Sequence, residues 1–120
     1  MIKADLNSEK GILNLKPSGP LEAADFDRLA VLADPYIAKK GGLAGIVIEI
    51  EQFPGWKNLA GMLKHFRFVR NHHRKVRRVA FVTDARVGKI AERFAHHFIA
   101  AQVKRFPAGH AGEARRWIAS

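Results

Sequence analysis

The sequence predicts an α/β fold with a mixed, mostly parallel sheet and four helices. Segments that alternate apolar and polar residues are interleaved with segments of helical periodicity, in the order ββαβαβαβα. The helical segments are long enough to cross over between parallel strands, and only the first two strands are close enough to form a hairpin. With 120 residues, the chain is expected to form one domain, 1–120, around one core.

The chain begins with a predicted β-hairpin. Residues 2–7 place Ile2, Ala4 and Leu6 on one face, and residues 12–17 also alternate in polarity. The Ser-Glu-Lys-Gly sequence between them is typical of a turn. This pair supplies the antiparallel edge of the predicted sheet.

The next two elements are a helix over 21–40, with Pro35 as a candidate break, and a strand over 41–51. The apolar residues that fall near one face of the helix are Leu21, Ala24, Leu29, Leu32 and Ile37. In the strand, one face receives Ile46, Ile48 and Ile50, and the other receives Val47, Glu49 and Glu51.

The clearest helix of the sequence spans 57–73. Its apolar residues form one stripe that is predicted to face the core, at Leu59, Met62, Leu63, Phe66 and Val69. A mostly apolar strand follows over 76–84, as expected for an interior strand that is covered on both faces.

Three elements complete the predicted fold: a helix over 87–102, a short edge strand over 103–107 and a final helix over 110–120. The apolar residues aligned on the first of these helices are Ile90, Phe94, Phe98 and Ala101.

The chain is strongly basic, with a net charge of +10, and the charge is unevenly distributed. Residues 1–60 carry 7 basic and 8 acidic residues, whereas residues 61–120 carry 14 basic and 3 acidic residues. Such a field attracts anions: nucleic acid, anionic lipid headgroups or an acidic protein. The absence of cysteine and of long apolar runs predicts a cytoplasmic protein, at most peripheral to the inner face of the membrane.

Three stretches resemble the SpoIIAA-like family, relatives of the STAS domain of anti-sigma-factor antagonists. They are IVIEIEQFPGW at 46–56, RRVAFVTD at 77–84 and VKRFPAGHAGEARRWIAS at 103–120. The resemblance implies a STAS-like mixed sheet with four helices, topologically akin to CRAL-TRIO lipid-binding domains. It also implies a non-enzymatic module with a hydrophobic or lipid-like ligand and contact with membranes.

The phosphorylation switch of the STAS antagonists does not carry over to this chain. Their phosphorylated Ser lies in an Asp-Ser-Ser-Gly turn after the third strand. The matching segment here, QFPGWK at 52–57, contains neither Ser nor Thr.

The stretch 64–78, KHFRFVRNHHRKVRR, holds seven Lys or Arg residues, three His and no acidic residue. On a helical wheel, Phe68 lies about 150° from the centre of the predicted core stripe, among basic side chains. An exposed ring surrounded by cations is a combination that docks on anionic membranes. The predicted anion- or membrane-facing residues are Lys64, Arg67, Phe68, Arg70, Arg74 and Lys75. The alternative is a solvated helix end, with Phe68 covered by the C-terminal helix or by a dimer partner.

Two further groups are candidates at the carboxyl ends of the strands, where open α/β sheets usually bind ligands. Phe53 and Trp56 are predicted to border a pocket for an apolar ligand. Acid–base catalysis is an alternative for three carboxylates, although pairing with arginine side chains accounts for the two glutamates as well. These are Glu49, Glu51 and Asp84.

No metal site and no cofactor are predicted. The histidines occur as the adjacent pairs His72–His73 and His96–His97, and neighbours on a helix point about 100° apart. Such a pair does not chelate one metal ion within its own helix. The chain also lacks the glycine-rich loops that bind nucleotide phosphates.

We therefore expect a binding module without enzymatic activity that associates reversibly with an anionic membrane surface, a hydrophobic ligand or both. The alternative is a domain that binds an acidic regulatory protein, as STAS antagonists do. Non-specific nucleic-acid binding is a weaker alternative, because the sequence contains no element that reads bases. A homodimer that buries strand 103–106 or the Phe68 face is also compatible with the sequence.

Overall fold

The computed structural model describes residues 1–86, 92 and 99–120. Its strands form one five-stranded sheet in the order β1-β2-β3-β4-β5. They are β1 (Ile2–Asn7), β2 (Ile12–Pro17), β3 (Leu43–Glu49), β4 (Val76–Val82) and β5 (Gln102–Phe106). β1 pairs with β2 in antiparallel register, and all the other neighbours pair in parallel. The predicted mixed, mostly parallel sheet is confirmed.

The described residues form three α-helices: α1 (Ala23–Lys40), α2 (Leu59–His72) and α3 (Ala111–Ala119). A 3-10 turn, His73–Lys75, joins α2 to β4. Most of the predicted helix 87–102 lies outside the described residues; at its end, residues 99–101 are not helical and Gln102 already belongs to β5. The other eight predicted elements are present in the predicted order, ββαβαβ before this helix and βα after it.

The sheet separates two apolar cores, because successive residues of a strand point to opposite faces. On one face, α1 and α2 cover a core that includes Leu13, Leu15, Phe26, Leu29 and Ile46. On the other face, α3 packs on a core that includes Ile12, Val47, Ala80, Phe106 and Ile118. The predicted alternation of Ile46 and Val47 along β3 is confirmed.

α1 buries a face that differs in part from the predicted one. Leu29 and Ile37 are buried as predicted, whereas Ala24 and Leu32 are exposed. The buried face is instead completed by two residues that the prediction omitted, Phe26 and Ala33. The four buried apolar residues are spaced i, i+3, i+7 and i+11, which is the regular spacing of a core-facing helix.

Pro35 does not break α1, which continues to Lys40. A proline deprives the carbonyl four residues earlier of its helical partner, here the carbonyl of Val31. Pro35 and Val31 both lie on the exposed side of the helix, where that carbonyl is open to solvent. The helix therefore tolerates a proline that the sequence suggested as a break.

Candidate functional site on the second helix

α2 begins at a side-chain cap and approaches the chain that precedes α1 very closely. The Asn58 side chain accepts a hydrogen bond of 2.9 Å from the backbone N–H of Gly61. A Cβ atom at Gly61 would lie only 2.5 Å from the backbone carbonyl oxygen of Leu21. Only glycine permits this approach, so Gly61 determines which side of α2 faces the protein.

Gly61, His65, Phe68 and His72 form the inner face of α2. The His65 ring stacks on Phe26, with ring centroids 4.9 Å apart, and Phe68 packs against Phe26 at 6.0 Å. His72 stacks on Phe68, and its Nε2 lies 2.7 Å from a carboxylate oxygen of Asp34 on α1. Phe68 is therefore partly buried against the core, and its predicted position as a free ring on the basic face is wrong.

His65 links the inner face to the loop that precedes α2. Its Nδ1 accepts a hydrogen bond of 3.1 Å from the indole Nε1–H of Trp56. This geometry requires Nδ1 to be unprotonated. Burial also disfavours the charged imidazolium, and it lowers the pKa of His65 below its ordinary value. Neutral His65 therefore acts as part of the core.

Leu59, Leu63 and Phe66 form the outer face of α2. Their exposed fractions are 65%, 52% and 53%, although the sequence predicted that they belong to the core stripe. That prediction is wrong for these three residues because the helix is turned by about a third of a revolution from the predicted orientation. Gly61 and the two histidines face inward, and Met62 and Val69 of the predicted stripe are half-buried. Three large exposed apolar side chains on adjacent turns form a contiguous patch, which usually marks an interaction site.

An aromatic cluster extends the outer face toward the end of β3. The Trp56 ring packs edge-on against both Phe53, at 5.0 Å between centroids, and Phe66, at 5.7 Å. Phe53 is 37% exposed. The predicted pocket residues Phe53 and Trp56 therefore contribute to a surface cluster, and they line neither of the two clefts described below.

The predicted anion-facing cations fall into two groups. Lys64 donates a 2.8 Å hydrogen bond to Asp27 on α1, and this carboxylate compensates its charge. No carboxylate of the described residues lies within salt-bridge distance of the other four, which are all exposed: Arg67, Arg70, Arg74 and Lys75. The apolar outer face is thus followed, along the last turns of α2 and the 3-10 turn, by basic side chains without a carboxylate partner in the described residues.

Two open clefts lie at opposite ends of the parallel strands. The carboxyl-end cleft, of about 710 Å³, is lined by residues that include Lys16, Glu49 and Glu51. The amino-end cleft, of about 680 Å³, is formed by Gly41–Gly42, by the basic segment 74–78 and by Gln102. The first cleft contains charged residues of both signs, whereas the charged residues that line the second, among those described, are all cations.

Two of the three carboxylates considered for catalysis have structural partners in the described residues. Glu49 lies 3.7 Å from Lys16 Nζ and 3.9 Å from Arg115, and Asp84 accepts a hydrogen bond of 3.1 Å from the backbone N–H of Ala108. Glu51 is exposed at the carboxyl-end cleft. The pairing with basic side chains that the sequence suggested is thus present at Glu49.

The two histidines of the pair His72–His73 have different partners. His73 Nδ1 accepts a hydrogen bond of 3.0 Å from the backbone N–H of Ala100, while His72 contacts Asp34. The pair His96–His97 lies outside the described residues. Within the part of the chain that the structure describes, no group of three or more His, Cys, Asp or Glu residues could hold a metal ion.

Sequence reasoning missed the outer face as a site, although a signal for its orientation was present. Gly61, His65, Phe68 and His72 are spaced i, i+4, i+7 and i+11, which is as regular as the spacing of the apolar stripe. Hydropathy favours leucine over histidine for the core. The close backbone approach at Gly61 and the neutral state of His65 reverse that preference.

A parallel sheet with one antiparallel edge and helices on both faces defines this chain as an α/β domain, and its exposed features are a helix surface and two open clefts. A family model described as SpoIIAA-like matches residues 12–119. The chain therefore belongs to the SpoIIAA-like family.

One solved structure supports the fold. It is the crystal structure of an uncharacterised protein from Shewanella loihica PV-4 with a SpoIIAA-like fold. The similarity has a TM-score of 0.68 at 20% sequence identity, and it covers 98% of this chain and 92% of that chain. At this identity the likeness shows the shared fold alone. None of the curated proteins matches the chain.

Proposed function

We propose that this SpoIIAA-like domain is a non-enzymatic binding module that associates reversibly with anionic membrane surfaces through α2. The observation that carries the proposal is the outer face, where Leu59, Leu63 and Phe66 are more than half exposed. An apolar helix face of this kind, bordered by cations, lies in the plane of a membrane interface with its apolar side chains among the acyl chains.

The charge of the same helix favours an anionic membrane over other apolar partners. Four exposed cations without a carboxylate partner among the described residues follow the apolar patch: Arg67, Arg70, Arg74 and Lys75. Each basic residue at an anionic surface contributes about 1 kcal/mol, so that four give about 4 kcal/mol at low ionic strength. This is too weak for permanent attachment, and the association is therefore expected to be reversible and to weaken with salt.

The membrane contact is peripheral in this proposal. None of the helices in the described residues is both long and apolar enough to cross a membrane. The aromatic cluster of Phe53, Trp56 and Phe66 adds the side chains that favour the headgroup region, where one part of a ring is apolar and another is wet.

Co-flotation with vesicles tests the proposal. Vesicles of phosphatidylcholine, with and without phosphatidylglycerol, are compared across a salt series. The protein is expected to float only with the anionic vesicles, and the bound fraction is expected to fall as salt rises. The variant Leu63→Gln/Phe66→Gln is expected to lose most of the binding, with circular dichroism showing that it still folds.

Val31→Gln is the matched control, because Val31 is 75% exposed but lies on α1. This variant should bind as the unmodified protein does. Equal flotation with neutral vesicles, or undiminished binding by the Leu63→Gln/Phe66→Gln variant, contradicts the proposal. Absence of binding at low salt overturns it and favours the acidic protein partner that the sequence offers as the alternative.

A further inference from the structure

We infer that the amino-end cleft binds the phosphate group of a small anion, either a lipid headgroup or a soluble phosphate ester. The cleft lies where β3, β4 and β5 begin, and it has a volume of about 680 Å³. That volume is in the range of small-molecule sites. The inference extends the proposed function. In that proposal α2 approaches a negatively charged surface, and the cleft would be the site that binds one phosphate group of it.

The charge of the cleft is uniform. Four cations line it, Arg74, Lys75, Arg77 and Arg78, and no acidic residue does so among the described residues. The segments that build it come from long acid-free parts of the sequence, 35–48 and 52–83. The carboxyl-end cleft, by contrast, contains Glu49 and Glu51 beside Lys16.

Two of the cations are held in place by the end of α3. Arg77 donates hydrogen bonds to the backbone carbonyls of Ile118 and Ser120. Arg78 donates to the carbonyl of Trp117 and, from Nε, to the Gln102 side chain at 2.9 Å, and its guanidinium lies over the Trp117 ring. The Ile118 and Trp117 carbonyls and the Gln102 amide carry no net charge, so these contacts position the two guanidinium groups without neutralising them.

Unused donors remain on these anchored groups. Among the described residues, neither Arg77 Nε nor Arg78 Nη2 donates a hydrogen bond. Arg74 and Lys75 are exposed and have no carboxylate partner in the described chain. Fixed guanidinium groups beside an exposed lysine match the several oxygens of a phosphate.

The negative ends of the helix dipoles compensate only part of this positive charge. α1 ends at Lys40 beside the cleft, α2 ends at the 3-10 turn that lines it, and Arg77 and Arg78 contact the last carbonyls of α3. Each helix C-terminus carries about half a negative charge, so the three together supply about −1.5. Four full positive charges line the cleft, and Lys39 and Lys40 lie next to it in the sequence. A multivalent anion would compensate the excess.

Two of the segments that line the cleft approach each other closely through their backbones. A Cβ atom at Gly42 would lie 2.8 Å from the carbonyl oxygen of Lys75, so the start of β3 and the 3-10 turn approach each other as only glycine permits. Both basic pairs of the segment 74–78 are thereby attached to one closely packed junction rather than to a free loop.

Isothermal titration calorimetry with pyrophosphate, in the absence of lipid, tests the site. The variant Arg74→Gln/Lys75→Gln removes two cleft cations and leaves the Arg77 and Arg78 anchors intact. Its affinity for pyrophosphate is expected to fall at least about tenfold, as expected when charge-assisted hydrogen bonds are lost. The matched control is Arg67→Gln/Arg70→Gln, which removes the same charge from α2 outside the cleft and is expected to change affinity less than about twofold.

Equal losses in the two variants would show general charge attraction and overturn the inference, as would the absence of pyrophosphate binding at low salt. Tighter binding of a single-stranded oligonucleotide than of pyrophosphate would overturn it in favour of nucleic-acid binding. These measurements use no membrane. They can therefore fail while the Leu63→Gln/Phe66→Gln flotation result holds, and the reverse.

A flotation arm distinguishes the two sources of the phosphate. Vesicles that contain phosphatidic acid, a phosphate monoester, are compared with phosphatidylserine vesicles of matched surface charge. A preference for phosphatidic acid that disappears in Arg74→Gln/Lys75→Gln supports the site and identifies a headgroup as its ligand. Pyrophosphate binding without that preference supports the site and identifies a soluble phosphate ester.

Discussion

The two faces of α2 invert the usual relation between hydropathy and burial. The inner face presents a glycine, two histidines and one phenylalanine to the core, whereas the outer face presents two leucines and a phenylalanine to solvent. If burial of apolar surface alone decided the orientation, the apolar stripe of the helix would face the core. Close packing at Gly61 and the hydrogen bond between Trp56 and His65 outweigh that gain.

The comparison teaches that an exposed apolar face can result from specific packing on the opposite face. The inner face is held by shape, stacking and hydrogen bonds, so the outer face is not required for the fold and remains available for binding. Stability and binding should accordingly separate between the two faces. Phe66 and Phe68, two positions apart, are the matched pair that tests this separation.

Phe68→Ala is expected to have the largest effect on stability. Phe68 packs on Phe26 and His72, and the loss of a well-packed phenylalanine ring leaves a cavity. Because the ring is only partly buried, we expect the free energy of unfolding to fall by about 2–3 kcal/mol, near the lower end of the range for core phenylalanines. Phe66→Ala should lower it by less than about 1 kcal/mol.

Urea denaturation monitored by circular dichroism measures both free energies. The same two variants in the flotation assay should show the opposite order, with Phe66→Ala weakening the association with anionic vesicles more than Phe68→Ala does. Equal losses of stability in the two variants would contradict the assignment of the faces.

Local patterns predicted the strands well, and long-range contacts explain where the predictions were wrong. The bounds of β1 and β2 agree with the predicted 2–7 and 12–17, because strand alternation and turn residues are local signals. The orientation of α2 depends on the backbone of Leu21, which lies far from Gly61 in the sequence. Helical periodicity identifies the possible faces, but it does not reveal which of them has a partner.

The site was predicted in the same uneven way. The sequence singled out the basic stretch 64–78, because charge and composition can be read directly. The division of its seven cations among three environments needs contacts that periodicity does not contain. Lys64 pairs with Asp27, and Arg67 and Arg70 are exposed on α2. The other four, Arg74, Lys75, Arg77 and Arg78, line the amino-end cleft, where the last two also bind the end of α3.

Gly61→Ala tests the close approach directly. Its Cβ would meet the Leu21 carbonyl at 2.5 Å, and a backbone atom cannot move aside as a flexible side chain can. Overpacking typically costs about 1–3 kcal/mol, and the helix propensity of alanine returns about 1 kcal/mol. We expect a net loss of up to about 2 kcal/mol in the free energy of unfolding.

Ala60→Gly provides the reference for Gly61→Ala, because Ala60 is exposed on the same helix. The decrease in its free energy of unfolding, measured by urea denaturation, gives the difference in helix propensity between alanine and glycine alone, about 1 kcal/mol. A stabilisation of similar size by Gly61→Ala would show that the helix does not approach Leu21 as described.

The smallest expected effect is a pH dependence that arises from His65. The pKa of His65 is lowered in the folded protein by burial, from an ordinary value of 6.5. The unfolded chain therefore takes up a proton at a higher pH than the folded protein does. The contribution of neutral His65 is fully present above about pH 6.5 and is lost as the pH falls from there toward the folded pKa.

The size of this effect is limited by one proton. Between pH 6.5 and the pH at which carboxylates begin to titrate, the free energy of unfolding should decrease by at most about 1.4 kcal/mol per pH unit. Urea denaturation at several pH values between 7.5 and 5 measures the slope. The rings that contact His65 are Phe26, Trp56 and Phe66, and none of them carries a charge that could stabilise an imidazolium.

His65→Gln separates this slope from that of the other histidines. Glutamine can still accept the Trp56 hydrogen bond through its side-chain carbonyl, but it does not titrate. The variant should be less stable than the unmodified protein at pH 7.5, because it loses the stack on Phe26, and its stability should depend less on pH between 6.5 and 5. An unchanged slope would show that the inner face of α2 is not held by a neutral histidine. The exposed outer face would then need another explanation.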